Sequence, residues 1–136
     1  MNTAVMNKEA HGLDEEKLEM IKASISQFIK SELFLERDMT LAKLAKSIET
    51  NTSYLSKVIN SYYGSTFTNF MNELRISYTL KSLEAVPEFR EFTIDHIAER
   101  SGFASSSAFY KAFKKHTGLT PSYYIKKRLH QHAQSV

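Results

Sequence analysis

The sequence predicts an all-α fold of about seven helices, and three observations carry that prediction. Apolar residues recur at three- and four-residue spacing through most of the chain, with no convincing run of strand-like alternation. Capping residues and glycines punctuate those stretches where helices should begin and end. Two similar segments lie about 54 positions apart, the sign of a repeated helical unit. The first contains Leu44-Ala45-Lys46, Tyr54-Leu55-Ser56-Lys57-Val58 and Gly64-Ser65-Thr66-Phe67. The second contains Ile97-Ala98-Glu99, Ala108-Phe109-Tyr110-Lys111-Ala112 and Gly118-Leu119-Thr120-Pro121. Ala45 matches Ala98, Leu55 matches Phe109, Lys57 matches Lys111 and Gly64 matches Gly118.

Residues 1–13 are mixed and polar, ending near Gly12, and read as a disordered linker. A first helix begins at Asp14, a good N-cap, with Glu15, Glu16 and Glu19 placed to complement the helix dipole. Leu18, Ile21, Ile25, Phe28 and Ile29 form one apolar stripe to about Leu33. This N-terminal segment, 14–38, is expected to pack on the first repeated unit. Asp38-Met39-Thr40 is a break and a cap. The second helix covers about Leu41–Ile48, and the third starts near Thr52-Ser53 and stops before Gly64, where a C′ glycine fits. Together residues 39–65 form the first unit.

Thr66 caps a long fourth helix, about Phe67–Glu84, with apolar positions at Phe67, Phe70, Met71, Leu74, Tyr78 and Leu83. At 1.5 Å per residue it spans roughly 27 Å. Val86-Pro87-Glu88 closes this linker segment, 66–86, because proline disfavours helix in the residue before it. Thr93 caps a fifth helix, about Ile94–Ser101, with Gly102 at the turn. A sixth covers Ser105–His116 and stops at Gly118. Thr120-Pro121 opens a seventh, with proline at N1, running to about Leu129. Residues 87–129 form the second unit, and 130–136 a polar tail. Glu49 stands where the second unit has Gly102, so the first turn either differs slightly or holds a strained residue.

Composition narrows the function classes. A length of 136 residues is one small domain, or two very small ones sharing a core. With no Trp the core must rely on Leu, Ile, Phe and Tyr. The absence of Cys excludes disulfides and thiolate metal sites and suits a reducing compartment. No apolar run approaches the roughly 18 residues of a membrane span. Residues 1–8 lack the apolar core of a secretory signal, so the expected location is the cytoplasm. Charge is unevenly spread: residues 1–38 carry five Lys/Arg against eight Asp/Glu, and residues 39–136 thirteen against seven. The basic part coincides with the repeats, as a polyanionic partner would favour, although a solvated basic surface has the same composition.

Catalytic constellations are missing. There is no H-E-x-x-H, G-x-S-x-G or G-x-x-x-x-G-K. Asp14, Asp38 and Asp95 each read as a cap or first-turn residue, and His130 with His132 forms a lone H-x-H. No enzyme, cofactor or metal is expected.

The stretch from about Leu41 to Lys127 resembles the DNA-binding domain of AraC/XylS-type transcription regulators. The residues that carry the resemblance are Tyr54-Leu55-Ser56-Lys57, Gly64-Ser65-Thr66-Phe67, Asn72-Glu73-Leu74-Arg75-Ile76 and Ile94-Asp95-His96-Ile97-Ala98-Glu99-Arg100-Ser101-Gly102-Phe103. The strongest run is Ser107-Ala108-Phe109-Tyr110-Lys111-Ala112-Phe113-Lys114-Lys115-His116-Thr117-Gly118-Leu119-Thr120-Pro121-Ser122. Thr79 departs from the usual alanine of the linker helix. Ile125 departs from the usual arginine after the T-P-S aromatic, so that arginine's phosphate contact does not carry over. The resemblance implies a regulator of double-stranded DNA with two homeodomain-like helix-turn-helix subdomains joined by the long helix. Its third and sixth helices would enter major grooves about one helical turn (~34 Å) apart.

The outer faces supply the candidate contacts. The third helix offers Ser53, Ser56, Lys57 and Asn60. The sixth offers Ser106, Ser107, Tyr110, Lys111 and Lys114. Lysine reaches guanine O6/N7 and asparagine an adenine edge, whereas serine discriminates weakly. Neither helix carries arginine, so direct readout should be shared with shape and phosphate contacts. Thr66 and Thr120 begin helices whose first-turn amides can hold phosphate, and Lys126 and Lys127 are further phosphate candidates. Helix capping and a solvated face account for the same residues. Arg75, beside Leu74 and Ile76, reads as structural. The expected partners are double-stranded DNA and either RNA polymerase or an upstream sensor domain, since the chain itself has no room for a sensor. It is either a stand-alone short regulator or, as residues 1–13 and the long first helix favour, the output domain of a larger protein. Two other readings stand beside this one: a helical protein-interaction module using the acidic first helix, and an RNA binder, which the lack of a β-sheet stacking platform disfavours.

Overall fold

A computed structural model describes residues 14–129. The linker expected at 1–13, the tail at 130–136 and the His130/His132 pair lie outside the described residues. Within them are seven α-helices and no strand: α1 (Glu15–Ser31), α2 (Leu41–Ser47), α3 (Thr52–Tyr63), α4 (Phe67–Ala85), α5 (Ile94–Arg100), α6 (Ser106–Thr117) and α7 (Pro121–Tyr124). Short 3-10 turns occupy Leu33–Leu35 and Pro87–Glu91. No helix among the described residues is long and apolar enough to cross a membrane.

Local chemistry explains where the helices start. Each opens at a side-chain oxygen that accepts an otherwise unpaired first-turn amide. Asp14 accepts from Lys17 N at 2.7 Å, Thr40 from Lys43 N at 3.1 Å, and Thr66 from Asn69 N at 3.1 Å. Thr93 accepts from His96 N at 3.1 Å and Thr120 from Tyr123 N at 3.2 Å. Helix α1 ends at Ser31, two residues short of the expected Leu33. The Ser31 hydroxyl donates to the Phe28 carbonyl at 2.8 Å, and Glu32 turns into the left-handed region at φ 64°. The seventh helix is also shorter than expected: after Tyr124 the backbone widens into a π-turn over Ile125–Leu129. The sequence neighbours Tyr124 and Ile125 both pack against the core there.

The chain divides into two compact units. Of the described residues, the first holds 14–34 and 38–71. There α1 and α2 both pack on α3. Its core is Ile21, Ile25 and Phe28 from α1, Leu44 and Ala45 from α2, Leu55, Val58 and Ile59 from α3, and Phe70 and Met71 from the start of α4. Full burial of one such aliphatic or aromatic side chain contributes about 1.5–3 kcal/mol. Lys22 and Lys17 of α1 extend over the rings of Tyr62 and Tyr54 of α3, with Nζ 3.7 and 5.6 Å from the centroids.

The second unit holds residues 35–37 and 72–129. Helices α5 and α6 pack on each other around Ile76, Leu83, Phe89, Ile97, Ala98, Phe103, Phe109, Ala112 and Phe113. Edge-on and tilted rings run from Phe103 through Phe109 and Phe113 to Tyr124, with centroids 5.3–5.6 Å apart. The stripe expected on the fourth helix is therefore incomplete. Ile76 and Thr79 are fully buried, because from Arg75 onward α4 turns the Arg75–Ile76–Thr79–Leu83 face into this unit. Arg75 is structural: its guanidinium donates to the Glu36 carbonyl at 2.9 Å and sits 5.9 Å from the Phe103 ring centre. Burial pushes its pKa below the usual arginine value. The Thr79 hydroxyl donates to the Arg75 carbonyl at 2.8 Å and is hydrogen-bonded to the buried Ser101 hydroxyl at 2.6 Å.

Candidate nucleic-acid interface

Each unit contains a helix, a tight turn and a second helix. In the first, α2 ends with Thr50 N donating to the Ala45 carbonyl at 2.9 Å and Glu49 N to Lys46 at 3.2 Å. In the second, Phe103 N donates to Ala98 at 3.0 Å and Gly102 N to Glu99 at 3.0 Å. Both are the paired bonds of a Schellman cap, which needs a left-handed residue in the middle. Gly102 supplies it at φ 88° and Glu49 at φ 60°, so the first turn has the same geometry with a strained residue in it.

The second helices begin at Asn51 and Ser105, whose side chains accept from Tyr54 N at 2.8 Å and Ala108 N at 3.1 Å. They end at Gly64 and Gly118, both left-handed. Their inner faces are sealed: Leu55, Val58 and Ile59 on α3 and Phe109 and Phe113 on α6 are 0% exposed, with Ala112 close behind. Each outer face can then point only away from its own core. Position by position, Ser53 corresponds to Ser107, Ser56 to Tyr110, Lys57 to Lys111 and Asn60 to Lys114. On α3, Ser53 and Asn60 are exposed, while Ser56 and Lys57 are partly buried. On α6, Ser107, Tyr110, Lys111 and Lys114 are exposed. Ser106 differs from its neighbours, because its hydroxyl is hydrogen-bonded to the Asp95 carboxylate of α5 at 2.5 Å. That bond takes its one proton and leaves only lone pairs for a further partner.

The phosphate candidates fall outside these faces. Thr66 and Thr120 each already hold a helix-opening amide. Lys126 and Lys127 are exposed on the π-turn, with Lys127 Nζ 5.9 Å from the Tyr123 ring centre. Lys114, Lys115 and His116 lie in the last turn of α6, where positive charge also complements the helix dipole. Sequence reasoning missed Asn51 and Ser105 as matched caps and missed the Asp95–Ser106 bond. Aligning the two repeats from their terminal glycines backwards exposes the caps; the bond depends on tertiary approach.

Comparison with known proteins adds the family. A model described as a helix-turn-helix domain matches residues 44–127, more than half of the chain. The TCP pilus virulence regulatory protein of Vibrio cholerae is 35% identical over 101 residues, which cover 74% of this chain and 34% of that protein. The chain thus spans about a third of that relative's length. Among solved structures, the C-terminal domain of AraT, a response regulator from Geobacillus stearothermophilus, superposes with a TM-score of 0.67 at 28% identity, covering 79% of this chain and 84% of that one. The DNA-binding domain of AdpA, solved in complex with a target DNA, shares the fold with a TM-score of 0.70 at 18% identity, over 84% and 96% of the two chains. With two matching helix-turn-helix units, a family model over most of their length and these relatives, the chain belongs to the AraC-type helix-turn-helix family.

Proposed function

We propose that this chain is a sequence-specific, double-stranded-DNA-binding transcription regulator whose helices α3 and α6 enter successive major grooves. The observation that carries the reading is the pairing of two sealed helices whose outward positions match, with Lys57 and Lys111 at the same place on each. A helix of this width fits the major groove, and lysine at its centre reaches guanine O6/N7. The candidate base contacts are Ser53, Ser56, Lys57 and Asn60 on α3 and Ser107, Tyr110, Lys111 and Lys114 on α6. Ser106 contributes as an acceptor only. Thr66, Thr120, Lys126 and Lys127 are the candidate phosphate contacts. One relative is named a transcriptional regulatory protein and another a virulence regulatory protein, and one structural neighbour is a DNA complex, which supports the same reading.

The chain acts by binding, without a catalytic step, in the cytoplasm where its DNA lies. It spans about a third of the Vibrio relative, which supports an output domain within a larger sensor. RNA polymerase or that sensor is the proposed second partner. The test is charge reversal in both units, Lys57→Glu with Lys111→Glu. Loss of duplex binding with an unchanged helical spectrum is the expected result, and unchanged affinity would overturn the groove assignment. A protein that binds the acidic face of α1 would keep its affinity for the double variant, which separates the interaction-module reading from this one.

A further inference from the structure

The two helix-turn-helix units differ by one residue. Residues 40–50 match residues 93–103, and residues 51–64 match residues 105–118. Ala104 has no counterpart. It sits in the turn of the second unit, immediately before Ser105, the cap of α6. An inserted residue adds a backbone carbonyl that the repeated pattern does not satisfy.

That carbonyl has a partner from far away in the chain. The Arg37 guanidinium donates to Ala104 O at 2.9 Å across 67 positions of sequence. Arg37 ends the segment Leu35–Arg37, which lies between α1 and α2 in the chain yet belongs to the second unit. Two further contacts hold this strap. Arg75 donates to the Glu36 carbonyl at 2.9 Å. At Gly102 a Cβ would meet Leu35 Cα and O at 2.8 Å, so the strap's backbone lies directly against the turn. The glycine serves the close approach as well as its positive φ.

We infer that Leu35–Arg37 is a working part of the second reader, with Arg37 as a positioning residue that holds Ala104 and thereby fixes where α6 begins. This rests on the proposed DNA-binding function for its consequence, but not for its structural claim. Ser107 and Tyr110 follow within two turns of Ala104, so a shift of the turn displaces the outer face that reads bases.

The experiment is Arg37→Ala, with Arg37→Lys as a conservative variant that retains a donor. Arg37 is exposed, so the fold should survive the change. Hydrogen exchange of the free protein should quicken several-fold at Ala108 and Phe109, whose amides bond back to Ser105, and stay unchanged in α3. In duplex selection with salt titration, base preference should blur at the α6 half of the site while the slope of affinity against salt stays the same. Arg37→Lys should restore part of both. Unchanged exchange at the start of α6 would overturn the inference. So would a uniform loss of affinity with a salt slope reduced by about one, since that is the mark of a direct phosphate contact. If the unaltered chain binds no duplex, the DNA reading fails while the exchange measurement still decides the strap.

Discussion

Replacing Glu49 by glycine should stabilise the protein, while replacing its counterpart Gly102 by alanine should damage it. The two residues occupy the same place in the same cap, at φ 60° and 88°. A left-handed conformation costs a residue with a Cβ roughly 1–2 kcal/mol. Glu49 is exposed, so its side chain has little packing to lose. Glycine releases the strain but makes the unfolded chain freer, by about 0.4–1 kcal/mol. The net gain is about 0–1.6 kcal/mol, centred on about 0.8, a rise in Tm of roughly 2–5 °C at that centre for a chain of this size. Gly102→Ala adds the same strain to a Cβ placed 2.8 Å from Leu35 backbone atoms. Overpacking of that sort costs about 1–3 kcal/mol more, and the stiffer unfolded chain returns about 0.4–1 kcal/mol, so a loss of about 1–4.5 kcal/mol is expected. Thermal and urea unfolding followed by far-UV circular dichroism measure both. Glu49→Ala is the control, since it removes the charge but keeps the strain and should gain nothing. A lower Tm for Glu49→Gly, or an equal gain from Glu49→Ala, would mean that Glu49 is not strained in this turn and that its carboxylate has a role of its own.

Two other perturbations follow from the interior and the surface. Thr79→Ala removes the partner of the fully buried Ser101 hydroxyl and should cost about 1–3 kcal/mol; Thr79→Ala with Ser101→Ala should cost less than the two single changes together, and simple additivity in urea melts would show the pair is uncoupled. The hydrogen bond from Lys43 Nζ, at 2.7 Å, holds Asp38 below the usual carboxylate pKa. Its contribution is therefore present above the ordinary aspartate pKa and is lost as pH falls through the depressed value. An NMR titration should place the Asp38 midpoint below that of an exposed aspartate, and Lys43→Met should return it.

Much of this fold could be read from residues whose preferences are local. Asp14, Thr40, Thr66, Thr93 and Thr120 each cap the helix assigned to them, because a side-chain oxygen one step outside a helix needs no tertiary help to find its amide. Gly64 and Gly118 end helices for an equally local reason. What was not legible depends on distant groups or on residues acting against their type. Glu32 takes a left-handed turn without being glycine, so the end of α1 carried no signal. Ile76 and Thr79 are buried because α4 changes the face it uses partway along, which a single stripe cannot express. The departure from alanine at Thr79 is explained by Ser101, whose hydroxyl it meets inside the second unit. At the candidate interface, the matched lysines were visible as a repeat. The engagement of Ser106 by Asp95 and of Ala104 by Arg37 needed the folded chain.

On the proposed function, the two matched helices read one duplex. Selection of bound molecules from a random library of ~30 bp duplexes, with affinity followed against salt, tests it most directly. Two enriched blocks about 10 bp apart, one helical turn, are expected, with affinity falling steeply as salt rises. A single enriched block would contradict the two-groove arrangement, and the absence of both enrichment and salt-dependent binding would contradict the DNA-binding function itself.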